Sequence, residues 1–257
     1  MEEILKDLLD GKIDIVTAKN KLRVTNIKAV AEVAKLDINR AQRTGAPEAI
    51  LAQGKSSEDV QKLALAMVQE NGYVLITRAK EEDIALLKDK LPEGYELNIN
   101  QRARTVILKR QDYLFPKAGK IGLLAAGTAD ISLAEEVVVT AEVMGCTVIK
   151  AYDVGVAGIH RLYGPLTEML EEKVSAIVVV AGMDAVLPIV VSSNVDIPVI
   201  GVPSSVGYGM GKEGMAGLMT MLQTCSPGLA VVNIDNGFGA GVFAALIARQ
   251  SSVQSSN

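Results

Sequence analysis

In the second half of the chain, short glycine-rich stretches each carry one or two residues able to bind, donate or attack. Gly127-Thr128-Ala129-Asp130 directly follows an apolar run and precedes a helical pattern starting near Ser132. Backbone amides and the Thr128 hydroxyl there face the place where a phosphate would bind. The stretch is neither GxGxxG nor a Walker loop, and it reads equally well as a tight turn capped by Asp130 or Ser132. Asp153-Val-Gly-Val-Ala-Gly-Ile-His160-Arg161 sets the chain's one histidine beside an arginine, a pairing that suits an anionic substrate, although a lone histidine also serves structure. Ala181-Gly-Met-Asp184-Ala-Val-Leu-Pro188 puts a carboxylate just after an apolar run, near a turn, where it also reads as a helix N-cap. Ser204-Ser205-Val-Gly-Tyr-Gly-Met-Gly is a loop of the kind that wraps polar ligands, or a plain linker. Cys225, in Gln223-Thr-Cys-Ser-Pro-Gly, ends a helical stretch; its thiol is read at the ligand-binding edge, as a nucleophile or as an inert apolar residue. Asn233-Ile-Asp235-Asn236-Gly-Phe-Gly-Ala-Gly241 adds a last polar, glycine-lined turn.

These stretches recur because of what lies between them. Apolar runs at 120–126, 146–152, 176–180, 199–202 and 229–233 are each followed by a glycine- or serine-rich turn and a helical pattern. Near-continuous Val/Ile/Leu runs mean strands buried on both faces, and strand-turn-helix repeats mean a doubly wound parallel α/β sheet of flavodoxin-like type. Ligands of such sheets sit at the carboxyl ends of the strands. The first half is more polar and lysine-rich. It predicts helices at 2–9 and 13–23, a strand at 31–38, a loop at 40–48, a helix from Ser57 to about Gly72, a strand at 73–77, a helix at 81–90, and strands near Glu96 and at 105–109. This is a smaller α/β domain, and the change of character around Phe115–Gly119 divides the chain into 1–117 and 118–257. The polar tail 251–257 is expected to fray.

Composition narrows the function. Lys plus Arg number 26 against Asp plus Glu 30, a net charge of −4. No global basic field exists to neutralise a nucleic-acid backbone. Cys146 and Cys225 are far apart and only one histidine is present, too few soft ligands for zinc. The acidic start Met1-Glu2-Glu3 argues against export, and the apolar runs are too short to cross a bilayer. A cytoplasmic location with reduced thiols is expected.

The order of Gly127-Thr-Ala-Asp130, His160-Arg161, Ala181-Gly-Met-Asp-Ala-Val-Leu-Pro188, Gly201-Val-Pro and the last glycine-rich helix resembles the aminoimidazole ribonucleotide carboxylase/mutase family. Val186 stands where that family's Ala-His-Leu-Pro motif has its catalytic histidine, which points away from the purine reaction. The whole chain resembles the LarB family of pyridinium-3,5-biscarboxylic acid mononucleotide synthases of nickel-pincer cofactor biosynthesis. That resemblance rests on Arg43-Thr-Gly-Ala-Pro-Glu48, Gly54-Lys55, Asp153 to Arg161, and Cys225 with Val232-Asn-Ile-Asp-Asn-Gly-Phe-Gly-Ala-Gly241. Asp184 stands where the family has Glu, and Asp37-Ile-Asn-Arg40 replaces a more His-rich stretch.

The resemblance implies nicotinic acid adenine dinucleotide and CO2/bicarbonate as substrates, with carboxylation of the pyridinium ring and hydrolysis of the phosphoanhydride to release AMP. It implies Cys225 as the thiolate that adds to the ring, and Asp184, then His160, as the base. Gly127, Thr128, Asp130, Arg161, Ser204, Ser205, Asp235 and Asn236 would make the polar and phosphate contacts. Arg43 and Lys55 would add phosphate or carboxylate contacts, or are solvated charge. No tightly bound cofactor is implied; magnesium (Mg2+) held by carboxylates and phosphate oxygens is compatible with the chemistry. A homo-octamer is expected from the fold relatives. The competing readings are a purine-type carboxylase/mutase, which needs no thiol, and a nucleotide-binding regulator without chemistry.

Overall fold

The computed structural model describes residues 2–23, 28–30, 34–37, 40–211 and 213–254. They form two compact units, one of Met1–Asn98 with Val106–Tyr113, the other of Ile99–Thr105 with Leu114–Asn257.

The first unit begins with helices α1 (Glu2–Leu9) and α2 (Ile15–Arg23), then pairs β1 (Lys28–Val30) antiparallel with β2 (Ala34–Leu36). Of the strand expected at 31–38, only β2 and Asp37 are described, and Asp37 is not strand; 31–33 and 38 lie outside the described residues. The loop expected at 40–48 is in part a short helix, α3 (Arg40–Thr44). Gly45 and Pro47, which suggested a loop, lie just beyond it, and Gly45 ends it with a positive φ of 75°. The remaining elements are β3 (Ala49–Leu51), α4 (Ser57–Asn71), β4 (Tyr73–Thr77), α5 (Glu81–Asp89), β5 (Tyr95–Asn100) and β6 (Thr105–Arg110). The strands make a four-stranded sheet in the order β3-β4-β6-β5. Ser56 caps α4 by accepting the Asp59 amide at 3.2 Å, and left-handed Gly72 closes it. Val60, Leu63, Ala64, Met67 and Val68 form the buried face of α4.

The second unit alternates strand and helix: β7 (Gly119–Ala125), α6 (Ile131–Val143), β8 (Cys146–Ala151), α7 (His160–Glu171), β9 (Ile177–Ala181), α8 (Leu187–Ser192), β10 (Val199–Pro203), α9 (Met215–Leu222), β11 (Leu229–Val231) and α10 (Gly237–Gln254). The five strands are parallel in the order β11-β10-β9-β7-β8. This is the flavodoxin-like α/β fold expected, with the strand order reversing between β7 and β9. Strands β9 and β10 are buried along their whole length because helices cover both faces. One core packs Ile121, Leu123, Val178 and Ile200 against Val137, Val138 and Ala141 of α6 and Ala240, Ala244 and Ala248 of α10. The other packs Leu124, Ile177, Val179 and Val199 against Leu162, Leu166, Leu187, Val191 and Met221. Of the tail expected to fray, 251–254 are helical as the last turn of α10, and 255–257 lie outside the described residues. Among the described residues no helix is long and apolar enough to cross a membrane.

Candidate active site

Because its strands all run parallel, every strand-to-helix loop of the second unit lies at the carboxyl edge. There a cleft of about 390 Å³ is lined by Gly127, Asp130, Gly155, Gly182, Asp184 and Tyr208, with apolar neighbours between them. It lies at the reversal of strand order, where open parallel sheets bind ligands. A smaller hollow of about 130 Å³ adjoins it, lined by Ser204, Ser205, residues 206–209 and Gly211, Glu213 and Gly214 of the glycine-rich loop. Backbone strain gathers at this edge: Asp153, Ala185 and Asp235, in three different loops, hold φ of 58°, 51° and 55°. Gly182 is fixed by close approach, since a Cβ there would sit 2.4 Å from the Val206 carbonyl oxygen.

Asp130 is the anchor of the site. Its carboxylate accepts the Gly127 amide at 2.9 Å and the Ser204 hydroxyl, and only 6% of the residue is exposed. Burial pushes its carboxyl above the ordinary aspartate range, assisted by the charge of Asp235 and opposed by those two hydrogen bonds. Asp235 accepts the Ser205 amide at 2.8 Å, so the loops after β7, β10 and β11 share one polar cluster. Asn236 accepts the Gly239 amide at 2.9 Å and so caps α10. Thr128 is exposed in the turn and outside the lining of the cleft. Asp184 is exposed at the cleft and accepts the Val186 amide at a long 3.4 Å, leaving most of its acceptor capacity open.

His160 and Arg161 open α7 and are both exposed, and neither lines the cleft. Arg161 pairs with Asp153, and its guanidinium folds over Gly158, where a Cβ would come 2.6 Å from Nε. In the first unit, Arg43 pairs with Asp37, whose amide donates to Glu48 at 2.7 Å. Lys55 donates to the Leu51 carbonyl at 3.0 Å.

Cys225 departs from the sequence reading. Helix α9 runs back from the carboxyl edge, and Leu229 pairs with Val199 at the start of β10. The loop that carries Cys225 therefore lies at the amino edge, opposite the cleft. The two edges are roughly 13 Å apart along the strands. The thiol is exposed in a shallow depression with Ile189, Met219, Thr220, Gln223 and Thr224. Cys146 is buried, its thiol pushed up to about 11 by desolvation, and so inert.

Two family models match this chain: the LarB/PurE-like N-terminal domain over residues 27–111 and AIR carboxylase over residues 120–256. The chain belongs to the LarB/AIR-carboxylase family. An uncharacterized protein of Methanocaldococcus jannaschii is 48% identical over 97% of this chain and 98% of its own length. A probable N5-carboxyaminoimidazole ribonucleotide mutase of Methanothermobacter thermautotrophicus is 31% identical over 50% of this chain and 37% of its own. Within this LarB/AIR-carboxylase fold, Val186 occupies the head of α8, so no imidazole lines the cleft among the described residues. Sequence reasoning missed Met183, Leu187 and Tyr208, which wall the cleft. Tyr208, an aromatic residue within a run of glycines and 83% exposed, was the available signal.

Proposed function

We propose that this protein carboxylates the pyridinium ring of nicotinic acid adenine dinucleotide with CO2 and hydrolyses the phosphoanhydride, releasing AMP and pyridinium-3,5-biscarboxylic acid mononucleotide. One observation carries the reading: a cleft at the carboxyl edge with a carboxylate and no imidazole among its described lining, in a LarB/AIR-carboxylase chain whose exposed thiol is Cys225. The thiolate adds to a ring carbon beside the carboxylation site, and the ring electrons move onto nitrogen. The neighbouring carbon, now part of an enamine, attacks CO2. Asp184 takes the proton from that carbon, and expulsion of the thiolate restores the pyridinium.

Cys225 and Asp184 act on one ring, yet in one chain they belong to opposite edges of the sheet. A homo-octamer answers this, with the thiol of one copy serving the cleft of its neighbour. The surface beside Cys225 suits a second copy, because Met215, Met219 and Leu222 on α9 are 42%, 60% and 65% exposed. The polar cluster of Gly127, Asp130, Ser204 and Ser205 binds the nucleotide. Among the described residues no three His, Cys, Asp or Glu side chains are grouped to hold a metal. Asp130 and Asp184, the two carboxylates lining the cleft, would hold a magnesium ion together with phosphate oxygens, and that ion would supply charge neutralisation at the phosphoanhydride. A free thiol nucleophile requires the reducing conditions of the cytoplasm.

The test is mass spectrometry of wild type and Cys225→Ala after incubation with the dinucleotide and bicarbonate. AMP and a mononucleotide heavier by one carboxyl group, both absent from the variant, are the expected products. Unchanged dinucleotide with the wild type, or wild-type rates from the variant, overturns the reading.

A further inference from the structure

A dinucleotide brings a diphosphate into this cleft, and the described residues that line it include Asp130 and Asp184 but no lysine or arginine. Arg161 is engaged by Asp153. Phosphate recognition in a carboxylate-lined cleft needs a cation from another element. The second unit contains such an element outside the parallel sheet, the tip of the β5–β6 connection, Ile99–Thr105.

Two contacts fix that tip against the first turns of α6, and a third closes the tip on itself. The Ser132 hydroxyl donates to the Arg102 carbonyl at 2.7 Å, and the Asn100 amide group donates to Glu135 at 2.6 Å. The Asn100 side chain also accepts the Ala103 amide at 3.0 Å, and Ala103 is buried. Glu135 is a firm anchor: burial opposes its charge, but Lys150, Tyr152 and Asn100 outweigh that and hold its carboxyl below the ordinary range. Arg102 thus has a pinned main chain and an exposed side chain. Its carbonyl is bonded to a residue only two positions beyond Asp130 of the cleft wall.

We infer that Arg102 is a phosphate-binding residue of this cleft that recognises the diphosphate of a dinucleotide. This rests on the function proposed above. The tip falls within the span matched by the LarB/PurE-like N-terminal domain and outside that matched by AIR carboxylase. The added segment therefore supplies the charge that a substrate with a second phosphate requires.

The experiment compares wild type, Arg102→Ala, Arg102→Gln and Arg102→Lys. Steady-state kinetics with the dinucleotide are combined with calorimetric titration of inorganic pyrophosphate and a melting curve for each variant. Removing one charge-assisted phosphate contact raises KM about 10- to 100-fold with kcat nearly unchanged, and weakens pyrophosphate binding by a similar factor. The lysine variant recovers part of both. Wild-type KM and wild-type pyrophosphate affinity in well-folded Ala and Gln variants overturn the inference, as does a wild type that binds neither probe. Pyrophosphate binding that depends on Arg102 in a protein that leaves the dinucleotide unchanged overturns the proposed reaction and leaves the phosphate site standing.

Discussion

If the thiol of one chain serves the cleft of another, two inactive variants make an active mixture. Cys225→Ala keeps the carboxylate and loses the nucleophile; Asp184→Asn keeps the nucleophile and loses the base. Each alone should fall at least about 100-fold, the scale on which general bases contribute. When differently tagged copies are co-expressed in equal amounts and purified through both tags, every site draws its Asp184 from one copy and its Cys225 from another. Random assembly then gives both wild-type groups to about a quarter of the sites, so about a quarter of wild-type turnover should return. The ground for this expectation is the strand pairing that puts Leu229 beside Val199 and so places the Cys225 loop at the amino edge. The assay is release of AMP, followed alongside the carboxylated mononucleotide. Mixed oligomers no more active than their parents would refute the shared site, because a site built within one chain can never regain both groups by mixing.

Gly182→Ala puts a Cβ 2.4 Å from the Val206 oxygen, so the loop after β10 must retreat by about 1 Å. We expect a loss of about 1–3 kcal/mol in a denaturation curve and a fall of about 100-fold in kcat/KM. Brief treatment of the native protein with iodoacetamide should place one adduct on Cys225 and none on Cys146, whose thiol burial pushes up to about 11; intact and peptide masses check this. Asp130→Asn addresses the buried carboxyl. Its folded pKa is raised, so the stability linked to that shift is fully present below the ordinary aspartate range and is lost as pH rises through the folded value. The variant should therefore melt above wild type at neutral pH, with the difference shrinking on acidification toward about pH 4.

The parallel sheet was legible because its strands are buried on both faces and so read as unbroken Val/Ile/Leu runs, as in Ile177–Ala181 and Val199–Pro203. Placement of the loops that carry Gly127, Asp184 and Asp235 follows from the parallel run of the strands alone, since each such loop leaves a strand's carboxyl end. The same rule places Cys225, which follows a helix and precedes a strand, at the amino edge and not at the ligand-binding edge where its reactive thiol suggests it. Helix α3 was hidden because five residues give too short a period to read, and Gly45 and Pro47 advertise a loop just beyond it. Arg102 carried no local signal. Its relevance comes from hydrogen bonds to Ser132 and, through Asn100, to Glu135, groups distant in sequence.

The lining of the cleft also bears on which chemistry the fold performs. With Val186 at the head of α8, the described side chains lining the cleft that can exchange a proton are Asp130, Asp184 and Tyr208. A carboxylate is a weak base, and removing a proton from an aromatic ring carbon is beyond it. After a thiolate has added and CO2 has been captured, the proton to be removed sits on a tetrahedral carbon beside an iminium and a carboxylate. Its loss regenerates a conjugated ring, which lowers the demand on the base. An aspartate is then sufficient, provided the thiolate acts first. In the proposed reaction the exposed Cys225 and the imidazole-free cleft are thus two parts of one requirement: without the nucleophile, Asp184 would have no proton acidic enough to take.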